Sequence, residues 1–287
     1  MSVVAHRPHV YDIVYPQDIT LPLILDSPHS GTLYPSDFRA AAPLHLLQQG
    51  EDRHVDDLYH AAPSHGATFL KALFPRVYID ANRHIDDLDA SLIDGAWPTP
   101  LKPGEKTALG QGLIWKKCAN GLAIYDRQLT ITETQARINN YYLPYHQTLR
   151  SLIEAAHQKF NTVWHINCHS MPSISSSVCK EGPGHRRPDF TLGDRFGTTC
   201  SPEFTLYVKS ILEDLGYYVT TNDPYAGAEL VRAYSHPPSQ RHSLQIEINR
   251  ALYMDECSFC KTAGFDQLQE NLHHVLSAIE RYVKKNI

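Results

Sequence analysis

Long apolar runs are missing from this chain. No window approaches the roughly 18 uninterrupted apolar residues of a membrane span, and the opening Met1-Ser-Val-Val-Ala-His-Arg-Pro8 has no apolar core of a secretory leader. A basic surplus is missing too. Lys and Arg number 26 against 31 Asp and Glu, a net charge of -5, which argues against nucleic acid or an anionic membrane as partner. Cysteine is scarce: six residues, at positions 118, 168, 179, 200, 257 and 260, follow no disulfide framework. That usage fits a reduced, cytoplasmic protein. Cys257-Ser-Phe-Cys260 stands without the second pair, or the spaced histidine pair, that a structural zinc site requires. No internal repeat or low-complexity linker divides the 287 residues, so one domain over 1–287 is expected.

What is present can build a layered core. Four short segments, Leu21–Asp26, Arg76–Asp80, Val163–Cys168 and Leu244–Ile248, are rich enough in apolar and β-branched residues to form strands. Val219–Thr221 adds a fifth after the Gly216 turn. Leu244, Ile246 and Ile248 alternate with Gln245, Glu247 and Asn249, so the two sets face opposite ways. Helices are expected between the strands: a short one over Asp52–Ala62, and a long one over Thr132–Lys159. The long one opens on the capping-box pattern Thr132-x-x-Gln135 and is broken or kinked at Pro144. Ser201-Pro202 caps another, which Gly216 closes. In the tail, Phe265, Leu268, Leu272, Val275, Leu276, Ile279 and Val283 form one helical stripe suited to core packing. Strands alternating with helices indicate an α/β fold. Residues 94–121 and 178–187 read as insertion loops, of the kind that wall substrate pockets or simply decorate a surface.

Histidine is abundant, 17 residues, and two of them stand out. Leu21-Pro-Leu-Ile-Leu-Asp-Ser-Pro-His-Ser-Gly31 is an apolar run ending at His29, and Thr162-Val-Trp-His-Ile-Asn-Cys-His-Ser170 delivers His169 in the same way. The carboxyl ends of sheet strands are where ligands and metals are held. A catalytic metal takes three protein ligands and keeps a position for water. The carboxylate that would complete the set is one of Glu51, Asp52, Asp56 and Asp57, and spacing alone does not choose among them. Read blandly, those acids are the solvated first turn of a helix and the histidines are polar strand ends. Glu247 sits mid-strand; buried, it would be a proton carrier with a raised pKa, and on an exposed face it would be ordinary. Asn82 and Arg83 follow a strand candidate, and Arg232 and the Arg186-Arg187 pair lie in loops; arginine grips carboxylates through paired hydrogen bonds.

Taken in order, these segments resemble the N-formylglutamate amidohydrolase family. The matching stretches are Ser27-Pro-His-Ser-Gly31, Glu51-Asp-Arg-His-Val-Asp-Asp-Leu-Tyr59, Val77-Tyr-Ile-Asp-Ala-Asn-Arg83 and Pro144-Tyr-His146. They continue with Asn167-Cys-His-Ser-Met171, Pro188-Asp-Phe-Thr-Leu-Gly193, Asn222-Asp-Pro-Tyr-Ala-Gly-Ala228 and Gln245-Ile-Glu-Ile-Asn-Arg250. The resemblance implies a zinc hydrolase of the carboxypeptidase and aspartoacylase fold, with a mixed, mostly parallel sheet. It implies one Zn2+ on His29, Asp52 and His169, with Glu247 as general acid/base. Asn82 and Arg83 would hold a substrate carboxylate, and Arg232 would assist substrate and oxyanion. The reaction would be hydrolysis of N-formyl-L-glutamate, a step of histidine degradation, on a small-molecule substrate with no nucleic-acid or membrane partner. A zinc deacylase for another N-acyl amino acid or small peptide is the nearest alternative, and a non-catalytic binding protein of the same fold is the next. Arg53 and His54 depart from the more usual aromatic surroundings after the acid.

Overall fold

The computed structural model describes residues 4–176, 179 and 182–287. Among the described residues ten strands form: β1 (Val4–Arg7), β2 (Tyr11–Val14), β3 (Leu23–Ser27), β4 (Thr68–Ala72), β5 (Ile93–Asp94), β6 (Leu129–Thr130), β7 (Val163–Met171), β8 (Phe190–Gly193), β9 (Val219–Thr221) and β10 (Arg241–Asn249). Eight of them build one sheet in the order β1-β2-β4-β3-β7-β10-β8-β9, while β5 and β6 pair separately. The centre of the sheet, β4-β3-β7-β10, is parallel, and the flanks carry the antiparallel pairs. The helices are α1 (Leu44–Gln48), α2 (Val55–Leu58), α3 (Glu105–Ala108), α4 (Ile131–Arg137), α5 (Leu143–Phe160), α6 (Pro202–Asp214), α7 (Glu229–Tyr234) and α8 (Gly264–Lys285). The expected α/β architecture, a mixed and mostly parallel sheet flanked by helices in a single domain, is therefore present.

Alternation along the three central strands sorts their side chains onto two faces. Leu23 and Leu25, Trp164, Ile166 and Cys168, and Leu244, Ile246 and Ile248 pack with α6 and α8. The stripe of α8 contributes Leu268, Leu272, Val275, Leu276, Ile279 and Val283 to that core. The opposite face carries Asp26, then His165, Asn167 and His169, then Ser243, Gln245 and Glu247, every one of them buried. A second core, with Leu149 and Ile153 of α5, surrounds this polar strip.

Local chemistry explains where the elements differ from expectation. Arg76–Asp80 is a turn and not a strand: the Tyr78 N–H donates to Pro75 O at 3.0 Å, and the Arg76 guanidinium donates back to Asp80. The long helical stretch is α4, a π-helical turn over Ile138–Tyr142, and α5. Pro144 lies in the first turn of α5, so the π turn absorbs its missing donor without a break. Its cap is Thr130 rather than Thr132; the Thr130 hydroxyl accepts from Glu133 N at 3.1 Å. The helix expected from Asp52 starts only at Val55, because His54 takes a left-handed φ of 66° and Asp52 is turned toward the site. The Ser201 cap forms as expected, accepting from Phe204 N at 3.2 Å.

Two features fix the loops over the polar strip. Arg137 of α4 is fully buried, stacked 4.2 Å from the Tyr78 ring, and donates to Tyr78 O at 3.1 Å. Gly31 lets the chain after β3 touch the end of β4; a Cβ there would stand 2.3 Å from Phe74 O.

Candidate metal centre

The site grows from the carboxyl ends of β3, β7 and β10. His29 lies two residues beyond β3. Asp52 is held beside it by a backbone hydrogen bond, Asp52 N donating to His29 O at 3.0 Å. His169 lies within β7, which runs two residues further, to Met171, so the strand itself sets the ring. In the parallel register Glu247 is the direct neighbour of His169. All four residues are buried, at 7% exposure or less.

Three donor atoms converge. His169 Nδ1 lies 2.9 Å from Asp52 Oδ2 and 3.1 Å from His29 Nδ1, and the His29 Nδ1 to Asp52 Oδ2 edge is 3.4 Å. His29, Asp52 and His169 are the single group of three metal-capable side chains found among the described residues. The outer ring nitrogens are engaged elsewhere. His29 Nε2 sits 2.7 Å from Asp80 Oδ1, and His169 Nε2 sits 2.7 Å from Asn167 Oδ1. The Asp80 carboxylate can only accept, so His29 carries its proton on Nε2, and Asn167 Oδ1 calls for the same tautomer of His169. Two nitrogen lone pairs and a carboxylate oxygen then face one another with no proton among them. Such an arrangement is repulsive when empty and is relieved by a cation. A tetrahedral zinc with donors at about 2.0–2.1 Å has donor edges of about 3.3 Å. The three residues fit the metal.

A shell of charge supports the trio. Asp80 is fully buried and saturated: Arg76 donates from Nη2 at 2.9 Å, Trp115 from Nε1 at 3.1 Å, and Asn82 from its backbone N–H at 2.9 Å. Burial opposes its charge, but Arg76, His29 and Arg83 outweigh that and hold the carboxyl well below its usual range. Arg250 Nη2 donates to Asp52 Oδ1 at 3.1 Å. Burial opposes the charge of Asp52 as well, and the Arg76 guanidinium helps to hold its carboxyl well below the ordinary value. These carboxylates stay ionised, as ligands and their partners must. Glu247 differs. Burial pushes its pKa up, His169 pulls it down and Asp52 raises it again, leaving it at about 7. It accepts from Gln245 Nε2 at 2.8 Å.

The remaining sequence candidates separate clearly. Asn82 is at the site, its Nδ2 3.0 Å from His169 Nε2 and its Oδ1 accepting from Leu230 N at 2.8 Å. Arg83 is aimed by its own backbone surroundings, donating to Gln111 O at 3.1 Å and Asn82 O at 2.9 Å. No carboxylate among the described residues forms an ion pair with it. Arg232 is not brought in. On α7 it is spaced i, i+3 from Glu229, ion-paired at 2.7 Å, and its side chain is 49% exposed. Of the acids left open by spacing, Glu51 accepts from Tyr34 and Arg53, while Asp56 and Asp57 face Lys71 and Lys261.

Several site residues escaped the sequence reading. Arg76, Asp80 and Arg250 had a signal, since they sit inside or beside the quoted motifs. Trp115 had none; it arrives from the 94–121 excursion, where it also lies under the Arg76 guanidinium at 5.0 Å. That excursion supplies Lys106 of α3 as well. The 178–187 segment lies partly outside the described residues. Within it Arg187 donates to Tyr225 and lies 4.9 Å from that ring centre.

Comparison with known proteins agrees with this geometry. The family model for N-formylglutamate amidohydrolase matches residues 21–254. An N-formylglutamate deformylase of Pseudomonas putida is 28% identical over 244 residues, covering 82% of this chain and 83% of the relative. One from Pseudomonas aeruginosa is 28% identical over 240 residues, with the same coverage. The crystal structure of an N-formylglutamate amidohydrolase from Ralstonia eutropha JMP134 superposes with a TM-score of 0.91 at 46% identity, covering 97% of this chain and 100% of that one. A gene product of Agrobacterium tumefaciens shares the fold, with a TM-score of 0.66 at 16% identity over 96% and 95% of the two chains. With its match spanning the strands, loops and donors that build the centre, this chain belongs to the N-formylglutamate amidohydrolase family.

Proposed function

We propose that the protein hydrolyses N-formyl-L-glutamate to formate and L-glutamate, with one zinc ion on His29, Asp52 and His169. The observation that carries this reading is the convergence of two Nδ1 atoms and one carboxylate oxygen, with Glu247 beside them. When bound, zinc supplies the Lewis acid that lowers the pKa of water and polarises the formyl carbonyl. Glu247 accepts the proton of the attacking water. As the C–N bond breaks, Glu247 returns that proton to the departing amine. A carboxyl poised at about 7 can do both near neutral pH. Asp80 and Asn167 hold the two histidine rings, and Arg76 and Arg250 keep Asp52 ionised.

Substrate charge is matched by two cations that form no ion pair with a carboxylate among the described residues. Arg83 is steadied by Asn82 and Gln111 and presents its remaining N–H groups to a substrate carboxylate. Lys106, half-buried on α3, has no ion-pair partner among the described residues. Burial and the Arg83 guanidinium beside it lower its pKa. α3 is docked next to Arg83: Gly104 N donates to Asp87 Oδ1 at 2.6 Å, and Gln111, whose carbonyl takes Arg83, donates its N–H to Lys106 O at 2.8 Å. Two cations of this kind favour a dicarboxylate over a singly charged acyl amino acid. The six free cysteines accord with a cytoplasmic enzyme.

Metal analysis combined with a substrate panel tests the proposal. N-formylglutamate should be cleaved in preference to N-acetylglutamate, N-formylglutamine and N-formylmethionine, with loss of activity on chelation and recovery on adding zinc. Preference for an N-acetyl or N-succinyl substrate would favour the related deacylase, and activity indifferent to chelation would remove zinc from the reading.

A further inference from the structure

The polar face of the sheet holds a second buried cluster beside the metal donors. Asp26, His165, Asn167 and Ser243 are each at most 1% exposed. Asp26 of β3 stands in register with Asn167 of β7, and His165 with Ser243 of β10. Asp26 Oδ1 accepts from His165 Nε2 at 2.8 Å and from Asn167 Nδ2 at 2.7 Å, and Oδ2 accepts from Tyr145 at 2.8 Å. His165 Nδ1 lies 2.7 Å from Ser243 Oγ. In composition this is the Asp-His-Ser set of a hydrolase. Ser243 is wholly buried, though, so no substrate reaches it and the set is no nucleophile.

Its output goes through Asn167. With the Asn167 NH2 committed to Asp26, the Oδ1 atom must point the other way, to His169 Nε2 at 2.7 Å. A competitor stands next to it. Asn82 Oδ1 is committed to Leu230 N, so its Nδ2 is turned on the same His169 nitrogen at 3.0 Å and, at a longer 3.4 Å, donates to Asn167 Oδ1. Asn167 asks His169 to carry a proton on Nε2, and Asn82 asks for a lone pair there. If Asn82 won, the proton would sit on Nδ1, aimed at Asp52 Oδ2 and His29 Nδ1, where the cation belongs.

We propose that Asp26 and Asn167 are positioning residues that decide this contest, setting the His169 proton on Nε2 and keeping Nδ1 free for metal. Burial works against the Asp26 charge, yet the hydrogen bonds from His165, Asn167 and Tyr145 hold its carboxyl below the ordinary value, so it polarises the Asn167 amide in the required sense. The inference rests on the proposed metal set.

The test pairs zinc affinity, by chelator competition, with 15N-histidine NMR of the metal-stripped protein, which reports the protonated ring nitrogen. Wild type should show His169 protonated on Nε2. Asn167→Leu, which leaves Asn82 as the only amide partner, should move the proton to Nδ1 and weaken zinc binding by about 10–100-fold. Asp26→Asn reads the same contest should the leucine variant fail to fold, and should also shift protonation toward Nδ1. Tyr145→Phe removes a bond to the far oxygen of Asp26 and should leave zinc affinity within about threefold. Unchanged protonation and affinity in Asn167→Leu, or in Asp26→Asn in its place, would overturn the inference. So would a loss in Tyr145→Phe as large as in those variants. A wild-type protein that binds no zinc would instead sink the metal reading, while the spectra would still decide the role of Asn167.

Discussion

The two faces of β3, β7 and β10 are equally buried and chemically opposite. Toward α6 and α8 the strands present Leu25, Ile166, Cys168, Leu244, Ile246 and Ile248. One residue out of phase, they present Asp26, His165, Asn167, His169, Gln245 and Glu247. Each face is packed, but only the first gains from burial as such, at about 25 cal/mol per Å2 of apolar area. The second is tolerable because its members satisfy one another and hold inward-facing acceptors for a cation. The contrast assigns stability mainly to one face and chemistry mainly to the other, although neighbouring residues of one strand belong to both.

The sharpest way to break that assignment is to remove a donor. His169→Ala should lower bound metal from about one equivalent to near zero by elemental analysis, and activity to background. A variant that kept its zinc would remove His169 from the ligand set. Glu247→Gln should come next, retaining zinc while losing about 10²–10⁴-fold in kcat. Wild-type kcat/KM should climb as pH rises through the region where Glu247 loses its proton, and that limb should vanish in the variant. A bound dication would draw the limb to lower pH. The stability effect has the opposite sense. A carboxyl raised to about 7 from an ordinary 4.5 is favoured neutral in the folded state. Its contribution is therefore present below the unfolded value and lost as pH rises through that window. Metal-free Glu247→Gln should accordingly be the more stable protein at pH 8 and about equal to wild type at pH 4.

Leu244→Ala addresses the other face. It should cost about 2–5 kcal/mol in urea unfolding, yet leave zinc affinity and kcat within about threefold below the transition. A large loss of metal affinity would show that the two faces are energetically coupled through the strand.

The asymmetry of the faces also governs what could be read in the sequence. The stripe of α8, the Ser201-Pro202 cap and the alternation of Leu244–Ile248 were legible because helical and strand periodicities repeat locally. His29 and His169 were legible because each follows an apolar run. Choosing Asp52 needed the family resemblance, since four carboxylates share one short segment and only the turn at His54 decides which one faces inward. Arg76–Asp80 misled because its apolar residues serve a turn pinned by an Arg76 to Asp80 ion pair, which periodicity does not encode. Trp115 and Asp26 act across long sequence separations, and nothing local announces such partners.

The arginines offer the finest division. Sequence placed Arg83 and Arg232 side by side as candidates; the fold parts them. Arg83 is aimed by two backbone carbonyls and forms no ion pair with a carboxylate among the described residues. Arg232 is spent on Glu229 on a half-exposed helical turn. Arg83→Ala should raise KM for N-formylglutamate by about 10–100-fold, because a charge-assisted hydrogen bond contributes about 1.5–3 kcal/mol. Arg232→Ala should change kcat/KM by less than about twofold and stability by less than about 0.5–1 kcal/mol, as for an exposed ion pair. Steady-state kinetics on the two variants decides the matter. A large kcat loss in Arg232→Ala would mean that α7 moves on substrate binding and carries its guanidinium to the metal, and the outward pairing with Glu229 would then describe a resting state.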